Sequence, residues 1–191
     1  MGKSRIIGGI IVENWCLGRR RALWISVNEN LIADAERELR LLRYRGKIYK
    51  NFADAEDNGV IIVTYKYIST RLADWKPVLS NWLQSGQEDF GGPVRDYWKE
   101  FFLSCTDGPS IFVCTLQIIF DECHKAKGEK TGIGKTVVNI QEDYPRARVV
   151  YVSATATTDL ESMHYMSRLG LWGPEFSIKS AKDFRNYIGN K

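Results

Sequence analysis

Residues 118–124 read IIFDECH, and this stretch decides the fold. Three apolar residues are followed directly by two carboxylates, Asp121 and Glu122, and then by Cys123 and His124. If the apolar run is a buried strand, both acids lie at its carboxyl end, where open α/β sheets bind their ligands. Phosphoryl chemistry needs one carboxylate for Mg²⁺ and a second acid that orients or deprotonates water. The alternative is that an apolar strand simply ends in polar turn residues.

The rest of the chain supplies the partners that such a strand needs. Four apolar, β-branched runs predict buried strands, at residues 22–27, 60–64, 116–120 and 148–152. Continuous apolar runs are typical of parallel sheets that are covered on both faces. Helices are predicted at 5–17, 30–42, 77–84, 94–103, 136–142, 160–169 and 181–188, with a loop at 86–92. The alternation of strand and helix predicts an α/β fold with a parallel sheet, as a single domain over residues 1–191.

Composition restricts the function only weakly. The formal charge of +4 is compatible with a polyanionic partner such as nucleotide or nucleic acid. The four cysteines lack CxxC spacing, which predicts neither a zinc site nor a disulfide framework and fits a reducing intracellular compartment. The apolar stretch 6–12 is too short to span a bilayer and has no signal-type cleavage site. We therefore expect an intracellular protein without a membrane partner.

A second motif lies at the start of the chain, where Gly2, Lys3 and Ser4 precede a predicted helix. The tail of a phosphate-binding loop has this form: glycine admits the backbone to the phosphate, lysine reaches the β and γ phosphates, and serine coordinates Mg²⁺. The anion would lie at a helix N-terminus. The alternative is an ordinary N-terminal tail, since the motif's leading glycines and the strand before them are not in the sequence.

Residues 132–136, GIGKT, repeat the same ending in a different context. The full phosphate-loop pattern requires glycine at position 129, which is Glu129, and the segment follows the acidic strand. This favours a flexible connection and the start of a helix over a phosphate contact.

Two hydroxyls, those of Ser153 and Thr155, directly follow the last predicted strand. They would lie on one side of the sheet edge, where they can bond the carboxylate and histidine of a neighbouring strand end, or they are simply a polar strand terminus. His124 belongs to the acidic motif, whereas His164 lies in a helical pattern beside two methionines and is interpreted as structural.

The Lys-Ser, Asp-Glu-Cys-His and Ser-Ala-Thr segments occur in the order of motifs I, II and III of superfamily-two helicases. The surrounding text resembles the Strawberry notch family in RALWISV (21–27), DAER (34–37), DECHKAK (121–127), PRARVVY (145–151) and MSRLGLWG (166–173). The resemblance implies the first RecA-like, P-loop NTPase domain of a nuclear DExH-type ATPase linked to transcription and chromatin.

The resemblance also implies a role for each motif residue. Gly2 and Lys3 would bind the phosphates of ATP, and Ser4 and Asp121 would serve Mg²⁺. Glu122 would position the attacking water. The remaining motif residues, His124, Ser153 and Thr155, would couple nucleotide state to domain motion.

Three departures from the family pattern bear on activity. The sequence begins inside motif I, so we expect a domain that is incomplete at its N-terminus and lacks a central strand. Ala156 stands where the family usually has glycine. The second RecA-like domain, which carries an arginine finger, is not in the sequence. Since loss of an arginine finger lowers the rate by about 10³ to 10⁵, we expect weak or no ATP hydrolysis in isolation.

Two alternatives to an ATPase stay open. The fold can serve as a non-catalytic transcriptional cofactor or protein-interaction module, with transcription factors as partners. It can also bind DNA or chromatin without ATPase function, which would require an affinity that falls steeply with salt.

Overall fold

The computed structural model describes residues 2–84, 116–126, 128, 131–154, 160–173 and 176–189. Strands in this part of the chain form one all-parallel sheet with helices on both faces. The predicted α/β fold is therefore confirmed. The strands are β1 (Arg21–Ser26), β2 (Lys47–Tyr49), β3 (Gly59–Thr64), β4 (Leu116–Asp121) and β5 (Arg148–Val152), in the spatial order β2-β3-β1-β4-β5.

Helices fill most of the connections. The described α-helices are α1 (Lys3–Cys16), α2 (Glu29–Leu41), α3 (Tyr65–Thr70), α4 (Leu72–Gln84), α5 (Gly132–Asp143) and α6 (Ala181–Gly189). Short 3₁₀ helices span Cys123–Ala126, Leu160–Tyr165 and Ser167–Leu169. None of the described helices combines the length and the apolar composition needed to cross a bilayer.

Side chains of the sheet alternate between two cores. One core packs beneath α3, α4 and α5, and the other beneath α1 and α2. Trp24 of β1 and Ile119 of β4 belong to the second core and are fully buried. Because strand side chains alternate with a period of two, Ser26 and Asp121, each two residues further on, face the same side. The ends of β1 and β4 therefore present polar side chains towards α1.

The four predicted strands are confirmed to within one residue at each end. Three short elements were missed, namely β2, α3 and the 3₁₀ helix Cys123–Ala126. β2 has only three residues, too few to show a periodic pattern. α3 follows β3 without a break, and its cap is the last residue of the strand, Thr64, whose hydroxyl accepts a hydrogen bond from the amide of Tyr67 at 3.1 Å. α3, YKYIST, has only six residues, too few for a helical period to show in the sequence.

Three helix predictions were wrong in their bounds or type. The predicted helix 136–142 begins four residues earlier, at Gly132. α4 begins at Leu72, so Pro77, which favours a first helical turn, lies inside the helix. The predicted helix 160–169 forms two 3₁₀ helices. Side chains of other elements form hydrogen bonds with backbone groups that a continuous α-helix would pair internally. Gln141 donates to the carbonyl of Tyr165 at 2.8 Å, and the amide of Arg168 donates to the hydroxyl of Tyr151 at 3.3 Å.

Several predicted features lie outside the part of the chain that the structure describes. The helix at 94–103, the loop at 86–92 and residue Ala156 lie outside the described residues. Within the described sheet, β5 is an edge strand that pairs with β4, and its residues are half-buried or exposed. Cys16 and Cys123 are free thiols, the first exposed and the second buried.

Candidate active site

Asp121 ends β4 with a buried carboxylate that is 3% exposed. The hydroxyl of Ser26 donates a hydrogen bond to its Oδ2 at 3.1 Å, while Oδ1 is buried without a hydrogen-bond partner. Burial raises the pKa of Asp121, and the Ser26 hydroxyl, the charge of Lys3 and the indole of Trp24 oppose that rise. The site therefore contains a carboxylate oxygen that is ready to accept a cation or a donor.

Glu122 follows directly and has a backbone φ of 51°, in the left-handed region. A non-glycine residue with positive φ is uncommon and costs free energy, and such residues cluster at functional sites. This conformation turns the chain from β4 into the 3₁₀ helix Cys123–Ala126, where Lys125 donates its amide to the Glu122 carbonyl at 3.0 Å. The Glu122 carboxylate forms an ion pair with Lys3 and lies 3.3 Å from Nδ1 of His124.

His124 connects the ends of two neighbouring strands. Its Nδ1 lies 2.9 Å from the hydroxyl oxygen of Ser153, which follows β5. The same nitrogen is within reach of Glu122, so the imidazole lies between the acidic motif of β4 and the hydroxyl of β5.

The N-terminus of α1 lies beside these acids. Gly2 caps the helix with a φ of 121°, which suits glycine, and no side chain caps the first turn. Lys3 and Ser4 are the first two helical residues, and Lys3 reaches Glu122. Uncapped first-turn amides and the helix dipole favour an anion at this end.

Comparison with known proteins shows the family of the chain. A family model described as "P-loop containing NTP hydrolase pore-1" matches residues 1–94 and 114–191. The chain belongs to this P-loop NTPase family.

Curated relatives from an insect, a mammal and a plant are similar to nearly the whole chain. The chain is 36% identical to Protein strawberry notch homolog 2 of Mus musculus over 98% of its own length, and 36% identical to Protein strawberry notch of Drosophila melanogaster over 96%. It is 34% identical to Protein FORGETTER 1 of Arabidopsis thaliana over 99% of its length. The predicted resemblance to the Strawberry notch family is confirmed. The chain spans only 13%, 11% and 14% of these three relatives.

A P-loop NTPase domain implies nucleotide binding, and the residues present fit a nucleotide with Mg²⁺. Among the described residues, no three His, Cys, Asp or Glu side chains converge to hold a metal by themselves. Mg²⁺ commonly takes one or two carboxylates and completes its shell with water and substrate phosphates. A single buried carboxylate with an unpartnered Oδ1, beside a lysine and an uncapped helix N-terminus, matches that requirement.

The structure brings most of the predicted site residues together. Lys3, Asp121, Glu122, His124 and Ser153 form one connected group at the carboxyl edge of the sheet. Gly2 and Ser4 flank Lys3 at the start of α1. Thr155 lies outside the described residues. The catalytic, metal and coupling roles assigned to these residues remain predictions.

The second Gly-Lys-Thr segment is the first turn of α5. The predicted helix start is confirmed, whereas the predicted flexible connection is wrong, because residues 132–136 are all helical. Thr131 caps the helix by accepting the amide of Gly134 at 3.1 Å. The buried hydroxyl of Thr136 donates to the carbonyl of Gly132 at 2.7 Å, inside the helix. Lys135 is exposed. The hydroxyl that would have to serve Mg²⁺ is therefore engaged within α5.

Three residues near Asp121 were missed from the sequence. Ser26 bonds its side chain, Trp24 lies on the same face, and the hydroxyl of Tyr65 donates to the Asp121 carbonyl at 3.0 Å. Ser26 had a detectable signal, since it is the polar residue at the end of an apolar strand. Its contact with Asp121 depends on which strands are neighbours.

His164 packs edge-on against Tyr165, with ring centroids 5.8 Å apart.

Proposed function

We propose that this domain binds ATP with Mg²⁺ at the carboxyl edge of its sheet, as the first RecA-like domain of a helicase-like ATPase. The observation that carries the proposal is the position of Lys3. This residue begins α1 and contacts Glu122, while its charge acts on the buried Asp121. A lysine at a helix N-terminus facing two acids at a strand end is the arrangement that phosphate and a divalent cation require together.

Each residue has a chemical part in this proposal. Lys3 exchanges its ion pair with Glu122 for the phosphates. Asp121 and Ser4 serve Mg²⁺, which when bound neutralises phosphate charge. Glu122, once released from Lys3, orients the attacking water and accepts its proton. His124 and Ser153, with Thr155, transmit the state of the nucleotide to neighbouring domains.

We further propose that turnover by this domain alone is slow. Phosphoryl transfer relies on charge stabilisation from a second domain, and an arginine finger is worth about 10³ to 10⁵ in rate. The supporting observation is that the described ion pairs at the carboxyl edge contain Lys3 and His124 as their basic partners and no arginine. Binding, rather than hydrolysis, is therefore the direct test.

The test is calorimetric titration of the chain with ATP, with Mg²⁺ and with EDTA. The wild type should bind, and Lys3→Ala should abolish detectable binding. Lys135→Ala is the matched control, because Lys135 occupies the other Gly-Lys-Thr segment and is exposed in α5. Equal loss in both lysine variants, or no binding by the wild type with Mg²⁺, would refute the proposal.

A second candidate is a non-catalytic transcriptional cofactor, for which this fold is an interaction module. It is supported by the small share of the relatives that the domain occupies, 13% in the mouse protein, which leaves most of their length for other activities. Partner capture by this module should survive Glu122→Gln. If capture of a protein partner collapses with that nearly isosteric change, the site and the interaction are not separate.

The nuclear and nucleic-acid parts of the proposal come from the resemblance. They predict nuclear accumulation of a fluorescent fusion and contact with DNA or chromatin, to which the charge of +4 lends support. Binding to duplex DNA should weaken steeply as salt rises, because phosphate contacts release counterions. Cytoplasmic retention of the fusion, or salt-independent DNA binding, would count against this part alone.

A further inference from the structure

Ser26 is the last residue of β1 and is completely buried. The four residues before it, ALWI, are apolar and fill the sheet. A buried hydroxyl without a hydrogen bond is costly, so a serine at this position needs a partner. Its partner is Oδ2 of Asp121, at 3.1 Å.

The main chain of Asp121 is held separately. β4 is paired on both sides, since Phe120 lies opposite Ile25 of β1 and Asp121 lies opposite Val152 of β5. Tyr65, buried below, donates its hydroxyl to the Asp121 carbonyl at 3.0 Å. The remaining freedom of Asp121 is therefore rotation of its carboxylate.

The hydrogen bond from Ser26 restricts that rotation. With Oδ2 engaged, Oδ1 is left without a hydrogen-bond partner. The indole nitrogen of Trp24, which lies on the same face and opposes the pKa rise of Asp121, forms no hydrogen bond either, so it does not hold Oδ1. Hydrogen bonds from outer residues orient metal-binding carboxylates, and their loss typically lowers metal affinity by about 10- to 100-fold.

We propose that Ser26 is a positioning residue that orients the Asp121 carboxylate for Mg²⁺, with Oδ2 held by the serine and Oδ1 available to the cation. This inference rests on the proposed nucleotide site and adds a residue that the motif pattern does not contain. Ser26 does not touch the nucleotide in this role; it acts through Asp121.

The role predicts a selective defect. Affinity for nucleotide in EDTA should be unchanged within about twofold, because Lys3 and the start of α1 are untouched. The enhancement of affinity by Mg²⁺, defined as the ratio of Kd in EDTA to Kd in Mg²⁺, should fall about tenfold. A merely structural role would weaken both affinities together.

The experiment measures the fluorescence of mant-ATP with the whole chain, in EDTA and in Mg²⁺. Ser26→Ala removes the hydroxyl, and Ser26→Cys removes the strong donor while keeping nearly the same volume. Ser80→Ala is the matched control, since Ser80 bonds the hydroxyl of Tyr144 at 3.1 Å away from the site. Asp121→Asn gives the Mg²⁺ enhancement that remains without the carboxylate. Adding Ser26→Ala to Asp121→Asn should lower the Mg²⁺ enhancement no further, because Ser26 acts only through Asp121.

The outcomes separate the two proposals. A reduced Mg²⁺ enhancement in both Ser26 variants, with Ser80→Ala like the wild type, supports the positioning role. Wild-type enhancement in both Ser26 variants overturns that role and leaves the nucleotide site standing. Equal losses in EDTA and in Mg²⁺ show a structural role and overturn it as well. Absence of any Mg²⁺ enhancement in the wild type refutes the proposed function, and the role of Ser26 with it.

Discussion

Lys3 and Glu122 are 119 positions apart in the sequence and form an ion pair at the carboxyl edge of the sheet. The contact exists because α1 leads into β1 through a short connection and packs against the sheet face that Asp121 also faces. Lys3 is about one-third exposed and Glu122 about one-fifth. Such a partly exposed pair contributes little to stability, so its exchange for phosphate contacts is energetically accessible.

Glu122→Gln should separate binding from hydrolysis. The change releases Lys3 from a carboxylate, so ATP affinity should stay the same or increase. Loss of the base should lower any hydrolysis by at least about 10²-fold. Calorimetry and phosphate release measure the two quantities. The control is Glu36→Gln, which removes a carboxylate on α2 that pairs with Arg40 and Lys50. This change should alter neither ATP affinity nor hydrolysis. Loss of ATP binding in Glu122→Gln would contradict the assignment.

Asp121 should make the stability of the apo domain fall as pH rises. Its pKa is raised in the folded state, so the folded chain holds this proton more tightly than the unfolded chain. The resulting loss of stability develops between the ordinary pKa of about 3.9 and the raised folded value. The free energy of unfolding of Asp121→Asn, compared with that of the wild type, should therefore be higher at pH 7 than at pH 4.

Urea unfolding in EDTA at both pH values measures this difference. The lowered pKa values of Glu36 and Asp57 act in the opposite direction but are common to both proteins, so they cancel in the comparison. A difference between the two proteins that does not depend on pH would contradict the prediction.

Gly134→Ala should destabilise the domain. A Cβ at Gly134 would overlap the carbonyl oxygen of Gly128, so the backbone after the acidic motif would have to move. Overpacking of this kind typically costs about 1–3 kcal/mol. Gly132→Ala is the control two residues earlier, because nothing lies within 4 Å of its added Cβ. Thermal unfolding compares the two, and equal melting temperatures would show that the packing at Gly134 relaxes freely.

Ser153→Ala tests the connection between the ends of β4 and β5. Removing the hydroxyl that lies 2.9 Å from His124 should cost about 0.5–1.5 kcal/mol of unfolding free energy. ATP affinity should change less than twofold, because Lys3 and Asp121 are not altered. A double-mutant cycle with His124→Ala measures the coupling of the two side chains. Strictly additive effects would mean that this hydrogen bond contributes no stability.

The strands β1, β3 and β4 were predictable because each is buried on both faces, which requires a continuous apolar run. β3, GVIIVT, and β4, LQIIFD, show this pattern directly. The type of segment 160–169 was not predictable. Its helical periodicity is real, but Gln141 and Tyr151 take backbone groups that an α-helix would use, and those contacts come from elements distant in the sequence.

The sequence by itself determined the parallel α/β fold and the acidic motif at the end of β4, because both depend on short runs of neighbouring residues. It also identified Lys3 as a candidate phosphate ligand. Only the tertiary structure decided that Lys3 meets Glu122 and that Ser26 bonds Asp121. Those contacts depend on strand order and on the face that each side chain occupies, and local patterns do not specify which distant segments become neighbours.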